Sequence, residues 1–262
     1  MKRLKNLLSV RPQTNIYVVL VHRLMLAMVM MSFTRIIFYL YNSDYFPDVT
    51  LTSFMRLMWG GVRFDLTAVL YMNLPVILLM VLPLRVRFAA GYQRLTNGLY
   101  YLLNGVMLGA NIADTVYYRF TLRRTTADVF RQFENETNMI QLIARFIFDY
   151  WYAVVAWAIL LFLLIRWNRR YRVEGPQIQN ILVHYALGIL ALPLIIYLFI
   201  GGVRGGFRHS TRPIALSNAA AYVQQAAEVN IVLNTPFAVL RTFGKAKISR
   251  VRYFDENELE RI

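Results

Sequence analysis

Long apolar runs separated by short polar stretches dominate the chain. Five runs approach the roughly 20 apolar residues that a helix needs to cross a bilayer; they cover residues 16–41, 66–84, 99–118, 150–165 and 181–203. The first run is the least regular, because His22, Arg23 and Arg35 interrupt it. This pattern predicts an all-α polytopic membrane protein with five transmembrane helices.

Residues 50–65 lie between the first two runs and are too polar to span. Their apolar side chains recur at helical spacing, which predicts a short helix lying in the membrane interface and ending at Gly60-Gly61. Within the spans, Pro75 and Pro193 are expected to kink their helices, because proline removes a backbone donor.

Residues 119–149 form a second polar stretch with an intermittent apolar face. Thr125 or Thr126 is a suitable N-cap for a helix that starts there. We therefore expect a second interfacial helix, broken near Asn135.

The composition changes after residue 203. A loop rich in glycine and arginine is followed by a predicted helical run that Ser217 caps and that stops before Asn234-Thr235-Pro236. A second short helical run is expected to end at Gly244, and the charged tail resembles a linker. The predicted division is therefore a five-helix transmembrane domain, 1–203, and a helical extracytoplasmic juxtamembrane linker, 204–262.

Composition narrows the class of protein. The 262 residues are 58% hydrophobic and only 16% charged, and they include no cysteine. This excludes a disordered basic tail and a disulfide-rich scaffold, and the long apolar runs argue against a nucleic-acid-binding domain. A formal net charge of +15 on so apolar a chain fits a membrane protein whose basic residues gather on one side.

The basic residues predict the orientation. Eleven of them lie in three short segments that contain one acid, Glu174; they are Lys2, Arg3, Lys5, Arg11, Arg85, Arg87, Arg94, Arg166, Arg169, Arg170 and Arg172. The alternate loops balance their arginines with acids. By the positive-inside rule the N-terminus is cytoplasmic and the C-terminus outside, in a bacterial cytoplasmic (inner) membrane.

Three ionisable residues are expected at one depth near the outer ends of the spans: Arg35, Asp65 and Asp114. One interpretation is structural, with Arg35 paired with Asp65 or Asp114 to hold the bundle together. The other is functional, a polar pocket that also includes Asn111 and takes a lipid headgroup or phosphate.

The third span carries a polar stripe, because Asn97, Asn104 and Asn111 recur every seven residues. Amides on one helix face bond to neighbouring helices, so packing is one interpretation of the stripe. A polar transport path is the alternative, which the absence of an inverted repeat disfavours.

A basic cluster follows the last span: Arg204, Arg208, His209 and Arg212. Guanidinium groups in a glycine-rich loop can hold a phosphate, and anionic lipid headgroups or a further domain are alternative contacts. The chain contains no catalytic signature, and the spacing of its three histidines predicts no metal site.

The pattern resembles the N-terminal membrane module of the lipoteichoic acid synthase and phosphoglycerol transferase family, within the sulfatase and alkaline phosphatase superfamily. Three stretches carry the resemblance: GGVRFDL (60–66), ADTVYYRFTLRRTTADVF (113–130) and RPIALSNAAAYVQQAAEVNIVLNTPFAVLRT (212–242). The tail RYFDENELERI resembles the stretch that leads into the family's catalytic domain.

The resemblance implies an outer catalytic domain with a threonine nucleophile and a divalent metal, usually manganese, which transfers phosphoglycerol or a related group from a membrane lipid. No residue of this chain matches that nucleophile or metal motif, so no catalytic residue and no cofactor is assigned to it. The expected partners are membrane phospholipids and that catalytic domain, not nucleic acid. The alternatives are a transporter or channel component, or a membrane scaffold for a partner protein.

Overall fold

The computed structural model describes residues 15–130, 139–173, 175 and 180–244. Within these residues the structure is helical, with no strand, which confirms the all-α class. The α-helices are α1 (Ile16–Tyr41), α2 (Leu51–Met72), α3 (Leu74–Val81), α4 (Ala90–Thr121), α5 (Met139–Asp149), α6 (Trp151–Asn168), α7 (Ile181–Arg204), α8 (Val229–Val232) and α9 (Thr235–Thr242). The predicted break near Asn135 lies outside the described residues.

Three of the helices, α1, α6 and α7, are long and apolar enough to cross a membrane. The bent pair α2–α3 is a fourth if it counts as one span. Helix α4, which contains the predicted third span, is 32 residues long but not apolar enough to be counted with them. The apolar helices indicate a membrane protein, and the five-span count stays a prediction.

Helix α1 occupies the centre of the bundle and packs against α2, α4 and α6. Asn15 caps its start, with a side chain that accepts a hydrogen bond from the Tyr17 amide, and Asn42 caps its end. The Asn42 side chain donates to the carbonyl of Thr115 on α4 at 2.9 Å. We call the end of the bundle where α1 begins the proximal end, and the opposite end the distal end.

The prediction that helix α2 ends at Gly60-Gly61 is wrong. The helix continues through the two glycines to Met72. Both glycines are buried under other side chains: a Cβ at Gly60 would come within 2.5 Å of the Tyr222 ring, and one at Gly61 would overlap the Arg35 guanidinium. Glycine is thus required here for close packing rather than for a helix end. The helix breaks at Asn73 instead, two residues before Pro75, and α3 is bent by 62° from α2.

The chain after α7 folds back onto the distal end of the bundle. Gly205 ends α7 in the left-handed conformation, with φ of 74°. Ile231, Val232 and Phe237 are fully buried in one apolar cluster with side chains of α1, α2 and α4. The described part of the predicted linker, residues 205–244, therefore packs on the bundle and contributes side chains to its core.

The prediction of a continuous helix from Ser217 is wrong. Residues 216–222 and 226–228 form short 3₁₀ turns, separated by Val223 in an extended conformation, and α8 is only four residues long. Side chains compete with helical backbone bonds in this segment: Asn218 accepts from the amide of Ala215, and Glu228 accepts from that of Gln224.

Candidate functional site

A buried ion pair joins α1 to α2 at the distal end. The guanidinium of Arg35 lies 2.5 Å from the Asp65 carboxylate, and both side chains are buried. The same guanidinium donates to the backbone carbonyls of Ile231 and Val232 in α8. Arg35 therefore connects two long helices to the segment that folds back over them.

Asn234 extends this connection from α2 into α9. Its amide nitrogen donates to the carboxylate of Asp65 at 2.8 Å. Its amide oxygen accepts from the backbone of Phe237 at 2.8 Å and so caps α9. One side chain thus fixes where α9 begins and anchors that helix to the ion pair.

Asp114 on α4 is the second acidic centre. Its carboxylate accepts from the Arg124 guanidinium at 3.1 Å, from the backbone and hydroxyl of Thr125, and from the Thr235 hydroxyl at 2.7 Å. Thr125, one of the two residues suggested as a helix cap, therefore bonds to Asp114 instead. Asn111, one turn earlier on α4, accepts from the Thr235 amide at 3.0 Å.

Arg124 lies outside the apolar runs and is nevertheless buried. Its guanidinium lies 3.6 Å from the centre of the Phe38 ring, and its Nε donates to the carbonyl of Asn230 at 2.7 Å. Burial lowers the pKa of Arg124, and the neighbouring Asp114 carboxylate opposes that shift. Two arginines and two aspartates thus form an electrically balanced cluster.

Segment 230–235 connects the two acidic centres, so we call the whole set the distal network: Arg35, Asp65, Asn111, Asp114, Arg124, Thr125, Asn230, Asn234 and Thr235. The four predicted intramembrane residues all belong to it. Sequence reasoning missed the other five as members: Arg124, Thr125, Asn230, Asn234 and Thr235. The signal for the last two was the Asn-Thr-Pro helix start at 234–236.

An apolar groove runs along the bundle between α1, α2 and α7, with a volume of about 620 Å³. Its proximal part is lined by residues such as Tyr17 and Leu20, and its distal mouth by Arg63, Gly205 and Gly206. Arg63 is exposed there and donates to the carbonyl of Gly205 at 2.5 Å. The groove is thus apolar along its length and positive at one end, and the sequence reasoning did not find Arg63.

The basic cluster after α7 does not form one compact site. The guanidinium of Arg204 folds back on its own loop and donates to the carbonyls of His209 and Thr211. Arg208, His209 and Arg212 are exposed. Arg204 therefore closes the loop, whereas the other three present their side chains to the surroundings.

The polar stripe of α4 is divided among different neighbours. Asn97 accepts from Arg23 at the proximal end, Asn104 exchanges hydrogen bonds with Asn73 on α2–α3, and Asn111 belongs to the distal network. Neither large cavity is lined by Asn104 or Asn111. Asn104 and Asn111 thus serve helix packing, whereas Asn97 lines the cavity near the start of α4.

No protein-family model, curated protein or solved structure matches the chain. The site must therefore be interpreted from its own geometry. In the part of the chain that the structure describes, no group of three or more His, Asp or Glu side chains could hold a metal ion. What the distal end offers is a neutral buried network, an apolar groove and exposed guanidinium groups.

Proposed function

We propose that the chain is the membrane-anchoring and lipid-presenting module of an outer-facing enzyme of the phosphoglycerol transferase or sulfatase type, acting on cell-envelope lipids or glycans. In this proposal α1, α2–α3, α4, α6 and α7 are the five spans. The proximal end faces the cytoplasm and the distal end faces outward across a bacterial inner membrane. The distribution of Lys and Arg along the sequence supports this orientation.

The observation that carries the proposal is the groove with its positive mouth. A membrane phospholipid has apolar acyl chains and a phosphate in its headgroup, and the groove is an apolar channel with Arg63 at one end. The acyl chains would lie in the groove, against the walls formed by α1, α2 and α7. The phosphate would meet Arg63, with Arg208 and Arg212 on the adjacent loop.

The distal network supports a presenting role, because it holds the chain after α7 in place beside the groove mouth. The three stretches that resemble the transferase family contribute Asp65, Asp114 with Arg124, and Asn234 with Thr235 to this one network. Stretches distant in sequence thus meet where a rigid connection to an outer domain is needed.

Lipid binding can be tested by native mass spectrometry of the protein taken from nanodiscs that contain phosphatidylglycerol. Leu198→Trp should fill the groove and remove bound lipid, and Leu194→Trp, on the same helix outside the groove, should not. Arg63→Gln should weaken retention about fivefold, equivalent to roughly 1 kcal/mol for one phosphate contact. Arg56→Gln is its matched control, since Arg56 is exposed on the same helix.

Equal lipid retention in Leu198→Trp, Leu194→Trp and the unaltered protein would contradict the proposed lipid site. The enzymatic half is tested separately by reading the gene downstream of Ile262. An in-frame domain with a threonine nucleophile and acidic and histidine metal ligands would support it. A stop codon directly after Ile262 would overturn it.

A further inference from the structure

Arg23 on α1 is a buried cation that forms no ion pair with an acidic side chain in the described part of the chain. Its side chain is 2% exposed, near the proximal end of the bundle. Its hydrogen-bond partners are Asn97 at 2.5 Å, Asn168 at 3.3 Å and the sulfur of Met80 at 3.1 Å. All three are neutral, and within the described ranges no carboxylate forms an ion pair with it.

An uncompensated charge in a protein interior is unfavourable, and a thioether sulfur is a weak acceptor. The distal arginines differ in this respect, since Arg35 and Arg124 each contact an aspartate. We call Arg23, Asn97, Asn168 and Met80 the proximal cluster. Among the described residues, this cluster has the hydrogen bonds that orient the guanidinium but no ion pair with a carboxylate that would balance its charge. An anionic ligand would supply that charge.

A cavity of about 640 Å³ lies against this cluster, between the start of α4 and the end of α6. Asn97 and Asn168, the two amides that hold Arg23, line its wall. Arg94 and Arg169 line it as well and are exposed. The described lining includes basic and polar side chains and no acid.

The chemistry of the lining suits a phosphate group. Two guanidinium groups from different helices can each donate in a bidentate manner to phosphate oxygens. Arg23 donates to the amide oxygen of Asn97. The amide nitrogen of Asn97 therefore remains as a further donor at the wall of the pocket. Arg23 itself lies behind the wall and adds charge at short range, where the low local dielectric strengthens its effect.

We propose that this proximal pocket binds a phosphate group, with Arg94, Arg169 and Asn97 as contacts and Arg23 as the buried charge that the ligand balances. The pocket is distinct from the groove between α1, α2 and α7 and lies at the opposite end from its positive mouth. The phosphate belongs either to an anionic lipid headgroup of the adjacent leaflet or to a free phosphate compound.

The source can be distinguished with the full chain in two kinds of nanodisc. In the first arm, inorganic phosphate is titrated into protein held in zwitterionic phosphatidylcholine. In the second arm, the fraction of phosphatidylglycerol is raised in phosphate-free buffer. The shift of the thermal unfolding midpoint is followed in both arms, because a ligand that binds the folded state stabilises it.

Saturable stabilisation in the first arm identifies a free phosphate compound. Saturable stabilisation only in the second arm, weakened when the pocket arginines are substituted, identifies a lipid headgroup. The double substitution Arg94→Gln/Arg169→Gln should raise the ligand concentration that gives half of the midpoint shift by on the order of tenfold. Both arginines are exposed, so folding should be retained. Arg56→Gln at the distal end is the charge control.

A steric test avoids any change of charge. Gly98 lines the pocket, and a Cβ there would meet nothing within 4 Å, so Gly98→Phe should block the pocket without disturbing the helix contacts. Gly91→Phe on the same helix also enters open space and lies outside the pocket. A response in neither arm, or an equal response in Gly98→Phe and Gly91→Phe, would overturn the proposal. Phosphatidylglycerol bound in the groove would stabilise both glycine variants alike, so the difference between them reports on the pocket alone.

Discussion

The substitution Arg35→Met tests whether the distal network holds the folded chain together. Methionine keeps much of the apolar length of the arginine side chain but removes its charge and donors. Asp65 then stays buried with the Asn234 amide as its remaining donor. The carbonyls of Ile231 and Val232 lose the guanidinium that they contact. The substitution thus changes only the contacts of Arg35 within the distal network.

The free energy of unfolding should fall strongly in Arg35→Met, because the ion pair is fully buried. Removing one partner of a buried pair typically costs about 3–5 kcal/mol, chiefly because the other charge is left uncompensated. The double variant Arg35→Met/Asp65→Asn removes both charges. Its loss of unfolding free energy should therefore be smaller than the sum of the losses in the two single variants. A difference of about 1–3 kcal/mol between the sum and the double variant is the coupling expected for neighbouring residues.

The measurement is reversible unfolding in mixed detergent micelles with increasing sodium dodecyl sulfate, followed by tryptophan fluorescence. Arg56→Met is the control, because Arg56 is exposed on α2 and should change stability by less than about 0.5 kcal/mol. A loss in Arg35→Met no greater than in Arg56→Met would refute the reasoning. So would a double variant whose loss equals the sum of the single losses.

Two further predictions use the same unfolding assay. Gly61→Ala should destabilise the protein, because its Cβ would overlap the Arg35 guanidinium, whereas Gly98→Ala should stabilise it by about 0.5–1 kcal/mol, because alanine favours a helix and meets no neighbour there. Changes of the same sign in both variants would contradict this account. Thr235→Val should cost about 1–3 kcal/mol, because it removes a 2.7 Å hydrogen bond to the buried Asp114 carboxylate without a change of size. A Thr235→Val protein as stable as the unaltered one would show that this contact does not contribute.

The sequence by itself determined the helical class and the main apolar helices. A helix in lipid satisfies its own backbone groups, so an apolar run of sufficient length is a local signal that needs no tertiary information. The same local rule gave the common depth of Arg35, Asp65 and Asp114, since helical rise converts residue number into height. These predictions depend on single helices and could therefore be made without contacts.

Tertiary structure decided what those residues touch. Whether Arg35 pairs with Asp65 or Asp114 depends on how the helices rotate against each other, which hydrophobic pattern alone does not fix. Asn234 meets Asp65 across 169 positions of sequence, and no local pattern encodes that contact. Arg23 looked like an interruption in an apolar run, and only its neutral surroundings distinguish it from the paired arginines.

Glycine shows the same division between local and tertiary information. In sequence, Gly60-Gly61 resembles a helix end, because glycine has a low helical propensity. In the folded chain the pair lies inside α2, where it makes room for Tyr222 and Arg35. The physical reason is that packing energy between elements exceeds the small intrinsic cost of glycine in a helix. Sequence determined where apolar helices form, and packing decided where they end, what they bury and which polar groups they bring together.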